Sequence, residues 1–179
     1  MRKKSLGFSL LELLVALAMM AVLLGIGGPA LRETTLNARR TASLNALLRA
    51  VHVARTEAVR TGREVVLCAR RPGTGDCVGR GADWADGWLV FVNRDADSPP
   101  AADAGETVLL AEAPVEGASI RGNRSAFRFF PFNRRSTNGT LVYCDERGDE
   151  SARAFILSFT GRPRLSSEDP SGRPVACRD

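Results

Sequence analysis

The sequence predicts an α+β fold in which one long N-terminal helix, apolar in its first half and amphipathic in its second, packs on an antiparallel β-sheet. Three observations predict it. The run from Leu13 to Gly28 contains no charged residue. Beyond it, apolar residues recur at helical spacing until Thr61-Gly62. After Gly62 the pattern changes to short apolar runs rich in β-formers and separated by turn residues. The 179 residues suit one moderate domain with an appendage. A composition of 44% hydrophobic and 25% charged residues is globular, not disordered.

The helix is justified in two halves. From Phe8 to Leu31 the only charge is Glu12, and these 24 positions make a helix of ~36 Å, enough to cross a bilayer. Gly27, Gly28 and Pro29 are expected to kink it or melt it locally. Beyond them Leu44, Leu47, Leu48, Val51 and Ala58 fall near one face. Arg39, Arg40, Arg49, Arg55 and Arg60 occupy other faces, so this half should lie against a sheet. Thr61-Gly62 is a good C-terminal stop. His52 flanks the apolar stripe and is expected to be a partly buried structural histidine.

The expected strands are residues 65–69, 88–93, 107–112, 126–130, 141–144 and 154–159. Asn138-Gly139 is a tight-turn signal just before the fifth. Asp95 to Gly105, rich in Pro, Ala and Asp, reads as a mobile surface loop. Within it, Asn93, Asp95 and Asp97 have the alternate spacing that opens a calcium loop. Ser98 stands where the turn glycine belongs and Ala104 where the bidentate glutamate belongs, so no metal site is expected. Phe127, Phe129, Phe130 and Phe132 alternate around a strand, and most should pack in the core rather than stack on bases.

Enzymatic chemistry finds no support, and no cofactor is expected. There is one histidine and no visible Ser/His/Asp arrangement. Gly73-Thr74-Gly75 lacks the remaining glycine and the lysine of the phosphate-binding loops. The four cysteines all follow the hydrophobic run, in the part that would be exported, where an even number reads as two disulfides. No Cys-x-x-Cys occurs, which argues against structural zinc.

The N-terminus carries the most specific signal. Arg2, Lys3 and Lys4 precede the apolar run, Gly7 and Phe8 follow them, and Glu12 lies inside the run. A carboxylate there is costly in lipid unless it finds a partner, such as the amino terminus of a neighbouring subunit. The segment from Lys4 to Leu13 resembles the class III leader and methylation site of type IV pilins and type II secretion pseudopilins. That resemblance implies cleavage after Gly7 by a prepilin peptidase, N-methylation of Phe8, and pairing of Glu12 with a neighbour's terminal amine. It also implies an order of parts: leader 1–7, transmembrane and assembly helix 8–30, amphipathic helix 31–62, and an exported β-sheet domain 63–179. The chain would then be a single-pass inner-membrane protein before assembly, and lie in the periplasm and a cell-surface pilus afterwards. Its partners would be other pilins or pseudopilins.

Within that group the chain resembles the GspH/FimT family through Arg55-Thr56-Glu57-Ala58, Val65-Val66-Leu67-Cys68 and Trp84-Ala85-Asp86-Gly87-Trp88-Leu89-Val90-Phe91, and then the loop before Gly105-Glu106-Thr107-Val108-Leu109. Of the three possible disulfide pairings, Cys68–Cys77 with Cys144–Cys177 is favoured. The first closes a short loop containing Pro72, Gly73 and Gly75, and the second staples the last residues to a strand.

The formal charge of +5 suggests an acidic partner. Removing Arg2, Lys3 and Lys4 from the 25 basic residues leaves 22 against 20 acidic, so only local clustering can carry such a claim. Gly161-Arg162-Pro163-Arg164 supplies it. Two arginines one residue apart point to the same side of an extended segment, and each can neutralise a phosphate. The four residues resemble the Gly-Arg-x-Arg motif of FimT-type minor pilins that bind DNA in natural transformation. That likeness implies double-stranded DNA as partner and Arg162 and Arg164 as its site. On the residues themselves, Gly161 permits close backbone approach, and Arg173 and Arg178 add to the patch while Glu168 and Asp169 oppose it. The alternative is an H-type minor pseudopilin of a type II secretion system, structural and without DNA binding.

Overall fold

The computed structural model describes residues 9–73, 76–79, 81–131 and 135–177. Gly7, Phe8, Phe132 and Arg178 lie outside the described residues. Helix α1 spans Leu10–Thr61. The expected melting at Gly27, Gly28 and Pro29 does not occur. A proline removes a single i→i−4 bond, and the flanking bonds carry the helix across. The fold divides into two compact units, residues 1–39 and 40–179.

In the first unit the apolar side chains from Leu10 to Leu24 face outward, and the helix is long and apolar enough to cross a membrane. Near its end, the Thr34 and Thr35 hydroxyls donate to the carbonyls of Ala30 and Leu31.

In the second unit α1 packs over two antiparallel sheets. The first has the order β3-β2-β1-β5, from β1 (Glu64–Ala69), β2 (Trp88–Asn93), β3 (Val108–Ala111) and β5 (Ala126–Phe129). The second has the order β4-β6-β7-β8, from β4 (Ala118–Gly122), β6 (Gly139–Asp145), β7 (Arg153–Leu157) and β8 (Pro163–Ser166). The α+β fold is therefore as expected, but its strands form two sheets. Leu44, Leu47, Val51, Ala54 and Ala58 bury the helix stripe against Leu67, Phe127, Phe155 and Leu157, among others from both sheets. His52 lies on the exposed side of α1, one residue past the stripe, and is not partly buried as expected.

Strand alternation leaves each sheet an outer apolar face, and each is covered by a segment held by a disulfide. Cys68–Cys77 sets Cys77 against Val66, Leu89 and Phe91, with Ala102 of the loop after β2 packed on the same cluster. Cys144–Cys177 draws the C-terminus over Ala154 and Ile156, where Val175 is buried. The Asp95–Gly105 loop is tethered: Arg128 donates to the Asp97 carbonyl at 2.6 Å, and Glu106 accepts from the backbone of Arg94 and Asp103.

Candidate nucleic-acid interface

Residues 163–166, beyond the last strand expected from sequence, form a strand themselves. β8 pairs antiparallel with β7, with Phe155 opposite Leu165 and Ile156 opposite Arg164. β7 ends at Leu157, short of the expected Phe159, because Ser158 opens the connecting turn. Gly161 N–H donates to the Ser158 carbonyl at 2.9 Å, and Ser158 N–H donates to the Arg162 carbonyl at 3.1 Å. This three-residue loop requires a left-handed residue at its end, and Gly161 supplies it at φ +68°. The Ser158 hydroxyl also accepts from Arg162 N–H at 3.1 Å.

The ladder dictates where the arginines go. Leu165 shares the face of Phe155, toward α1. Arg164 shares the opposite, outer face with Ile156. Arg162 and Arg164 are both exposed. Proline at the first position of an edge strand removes no ladder bond the sheet needs.

Two further arginines root beside the same turn. Ser136 N–H donates to the Phe159 carbonyl at 2.9 Å, which brings the loop before β6 alongside. The Arg135 guanidinium lies 5.8 Å from the centre of the Phe159 ring, within cation–π range. From α1, the half-buried Arg55 reaches the turn: a Cβ on Gly161 would sit 3.2 Å from Arg55 Cδ and 3.3 Å from its Nε. Arg55, Val59, Ser136, Phe159 and Thr160 line a groove of about 200 Å³ here. Among the described residues, none of Arg55, Arg135, Arg162 and Arg164 forms an ion pair. By contrast, Arg49, Arg60, Arg121, Arg128 and Arg147 each hold a carboxylate.

Arg173 stands apart from this group. It closes a separate hairpin beyond β8, bound to Asp169 through its guanidinium at 3.0 Å and its backbone N–H at 3.0 Å. Those bonds, the backbone one first, hold the Asp169 carboxyl below the usual range, so the positive charge of Arg173 is already answered. Of the expected residues, the structure brings together Gly161, Arg162 and Arg164. Arg55 and Arg135 escaped the sequence reading because they come from stretches distant from Gly161 that meet it only in the fold; Phe159 is two residues from Gly161, but its role beside Arg135 appears only there. Glu12 lies exposed in the first turn of α1. Asp95, Asp97 and Asp103 bring carboxylate oxygens within 4.8 Å of one another on the loop after β2, but Asp97 already caps Ala101 N–H there.

Residues 43–161 match the family described as type II transport protein GspH, and residues 2–28 match the prokaryotic N-terminal methylation motif. No curated protein matches the sequence. The fold is similar to that of the type IV minor pilin FimU of Pseudomonas aeruginosa. In one crystal form the TM-score is 0.56 at 22% identity, covering 81% of this chain and 98% of that one. In a second it is 0.48 at 19% identity, covering 76% and 96%. The methylation motif and the apolar start of α1 make the chain an inner-membrane-anchored pilin-like subunit that later enters a filament. With the match spanning most of the chain on this helix-and-two-sheet fold, the protein belongs to the GspH family of pilin-like type II transport proteins.

Proposed function

We propose that the protein is a minor type IV pilin that binds extracellular double-stranded DNA without sequence preference, for uptake in natural transformation. The observation that carries this reading is the β7–β8 hairpin, which presents Arg162 and Arg164 exposed and without a carboxylate partner among the described residues. Unpaired arginines on a rigid ladder lose counterions to phosphate at little ordering cost. Phosphate contacts of this kind read no sequence, which suits uptake of any DNA.

The test is a fluorescence titration of a labelled duplex with the full chain in uncharged detergent, over a salt series. Arg162→Ala with Arg164→Ala should weaken binding and lower the slope of log affinity against log salt by about 1.8. An unchanged slope overturns the DNA reading. With so few cations, wild-type dissociation constants of about 10⁻⁶ M or weaker are expected at physiological salt.

A second reading follows from the description of the matching family as a transport protein. A minor pseudopilin of a type II secretion system would use the same helix and leader but have no need of DNA. Deleting the gene separates the two: loss of transformation supports the first, loss of protease secretion the second. Both readings share the assembly step, in which a prepilin peptidase cuts after Gly7 and Glu12 pairs with the methylated amine of a neighbour's Phe8.

A further inference from the structure

We propose that Arg55 and Arg135 complete the DNA site, with the groove behind Gly161 holding a backbone phosphate. This inference rests on the DNA-binding reading above and adds residues from α1 and from the loop before β6 to the hairpin arginines. Arg55 is half-buried, and a partly desolvated guanidinium ordinarily recruits an anion. Even its more exposed neighbours along the helix do so: Arg49 binds Glu112 at 2.6 Å and Arg60 binds Glu57 at 2.7 Å. Arg55 has no such partner among the described residues, and it lines a groove together with Ser136 and Thr160; the Ser136 hydroxyl lies beside Gly161, while that of Thr160 bonds Ser158 at 2.8 Å. A cation beside a hydroxyl is a donor set that suits a phosphate.

The glycine of the motif gains a second role. Any side chain at 161 would place its Cβ 3.2–3.3 Å from Arg55 Cδ, Arg55 Nε and Ser136 Oγ, crowding the groove at its mouth. Glycine keeps it open. Gly161 lies against the Arg55 side chain and is followed directly by Arg162, so the two cations can take neighbouring phosphates of a strand. Arg135 stands on the rim, held over the Phe159 ring, which is 51% exposed. Phe159 is a positioning residue that keeps the Arg135 cation beside the groove.

The full chain in uncharged detergent is titrated against a fluorescein-labelled duplex from about 50 to about 200 mM salt. Arg55→Gln and Arg135→Gln are each expected to lower the salt slope by about 0.9. Arg55→Lys keeps the charge and should keep the wild-type slope. Arg71→Gln, which removes an exposed charge at the opposite end of β1, should leave it unchanged. If the Gln variants keep the wild-type slope while the Arg162/Arg164 variant loses it, this extension falls and the DNA reading stands. If wild type does not bind, both fall. Loss of slope in Arg55→Lys equal to that in Arg55→Gln means disturbed packing and overturns the role of Arg55. An equal loss in Arg71→Gln means binding tracks overall charge and overturns the site.

Discussion

At the scale of single residues, two positions concentrate the physics. Gly161 must adopt a left-handed backbone and must leave room for Arg55. Gly161→Ala should cost about 1 kcal/mol in thermal unfolding from the backbone term alone. The neighbouring Arg55 side chain must shift as well. Asp145 is the second. Its side chain is 1% exposed, and Arg147 donates to both oxygens, at 3.0 and 2.7 Å. The hydrogen bond from Arg147 pulls the Asp145 carboxyl below the usual range, against the opposing effect of burial. A carboxylate held low in the folded state stabilises fully above its unfolded value, about pH 4, and loses that contribution as pH falls through the folded value. Asp145→Asn should therefore cost about 1–3 kcal/mol at neutral pH. The gap between mutant and wild-type melting temperatures should close as the pH drops below about 4. Around this pair, burial first and then the charges of Arg153 and Arg147 push the Arg40 guanidinium down, while it donates to the Ser151 carbonyl at 2.9 Å.

At the scale of elements, each sheet is closed on its outer face by a disulfide-held segment. Cys144–Cys177 spans 33 residues of sequence, and the chain-entropy model assigns such a loop about 3–4 kcal/mol. Cys144→Ser with Cys177→Ser should lower the urea midpoint accordingly. It should leave the salt slope of DNA binding unchanged, because the β7 ladder and the Ser158 turn hold Arg162 and Arg164. Two strands escaped the sequence reading. β4 contains a single strong β-former, Ile120, and is placed by its β6 ladder and by Asp83, whose carboxylate accepts from Ile120 N–H at 2.8 Å. β8 opens on a proline and carries an exposed arginine and a half-exposed leucine, so its period-2 pattern is weak until β7 is beside it.

At the scale of the whole molecule, the exposed apolar start of α1 needs a non-aqueous surrounding, first lipid and then neighbouring helices. In the assembly step proposed above, the second exchange requires the Glu12 carboxylate to pair with a neighbour's amine. Mass spectrometry of native material should find a chain starting at a methylated Phe8; an intact Met1 overturns the processing scheme. Glu12→Leu should still insert in the inner membrane yet disappear from sheared filaments, because the neighbour's terminal amine then has no carboxylate to pair with.

The sequence alone determined the helix, its apolar first half, the processing signature, the presence of two disulfides and the Gly-Arg-x-Arg segment. Each of these is written in neighbouring residues, where periodicity, charge spacing and turn chemistry act locally. Tertiary structure alone decided the division into two sheets, the strand character of Pro163–Ser166, the exposure of His52, the ion pair that holds Arg173 to Asp169, and the convergence of Arg55 and Arg135 on the turn of Phe159 and Gly161. Those outcomes depend on which distant side chains share a face or a groove. Burial and pairing between remote segments set that, and no local pattern encodes it.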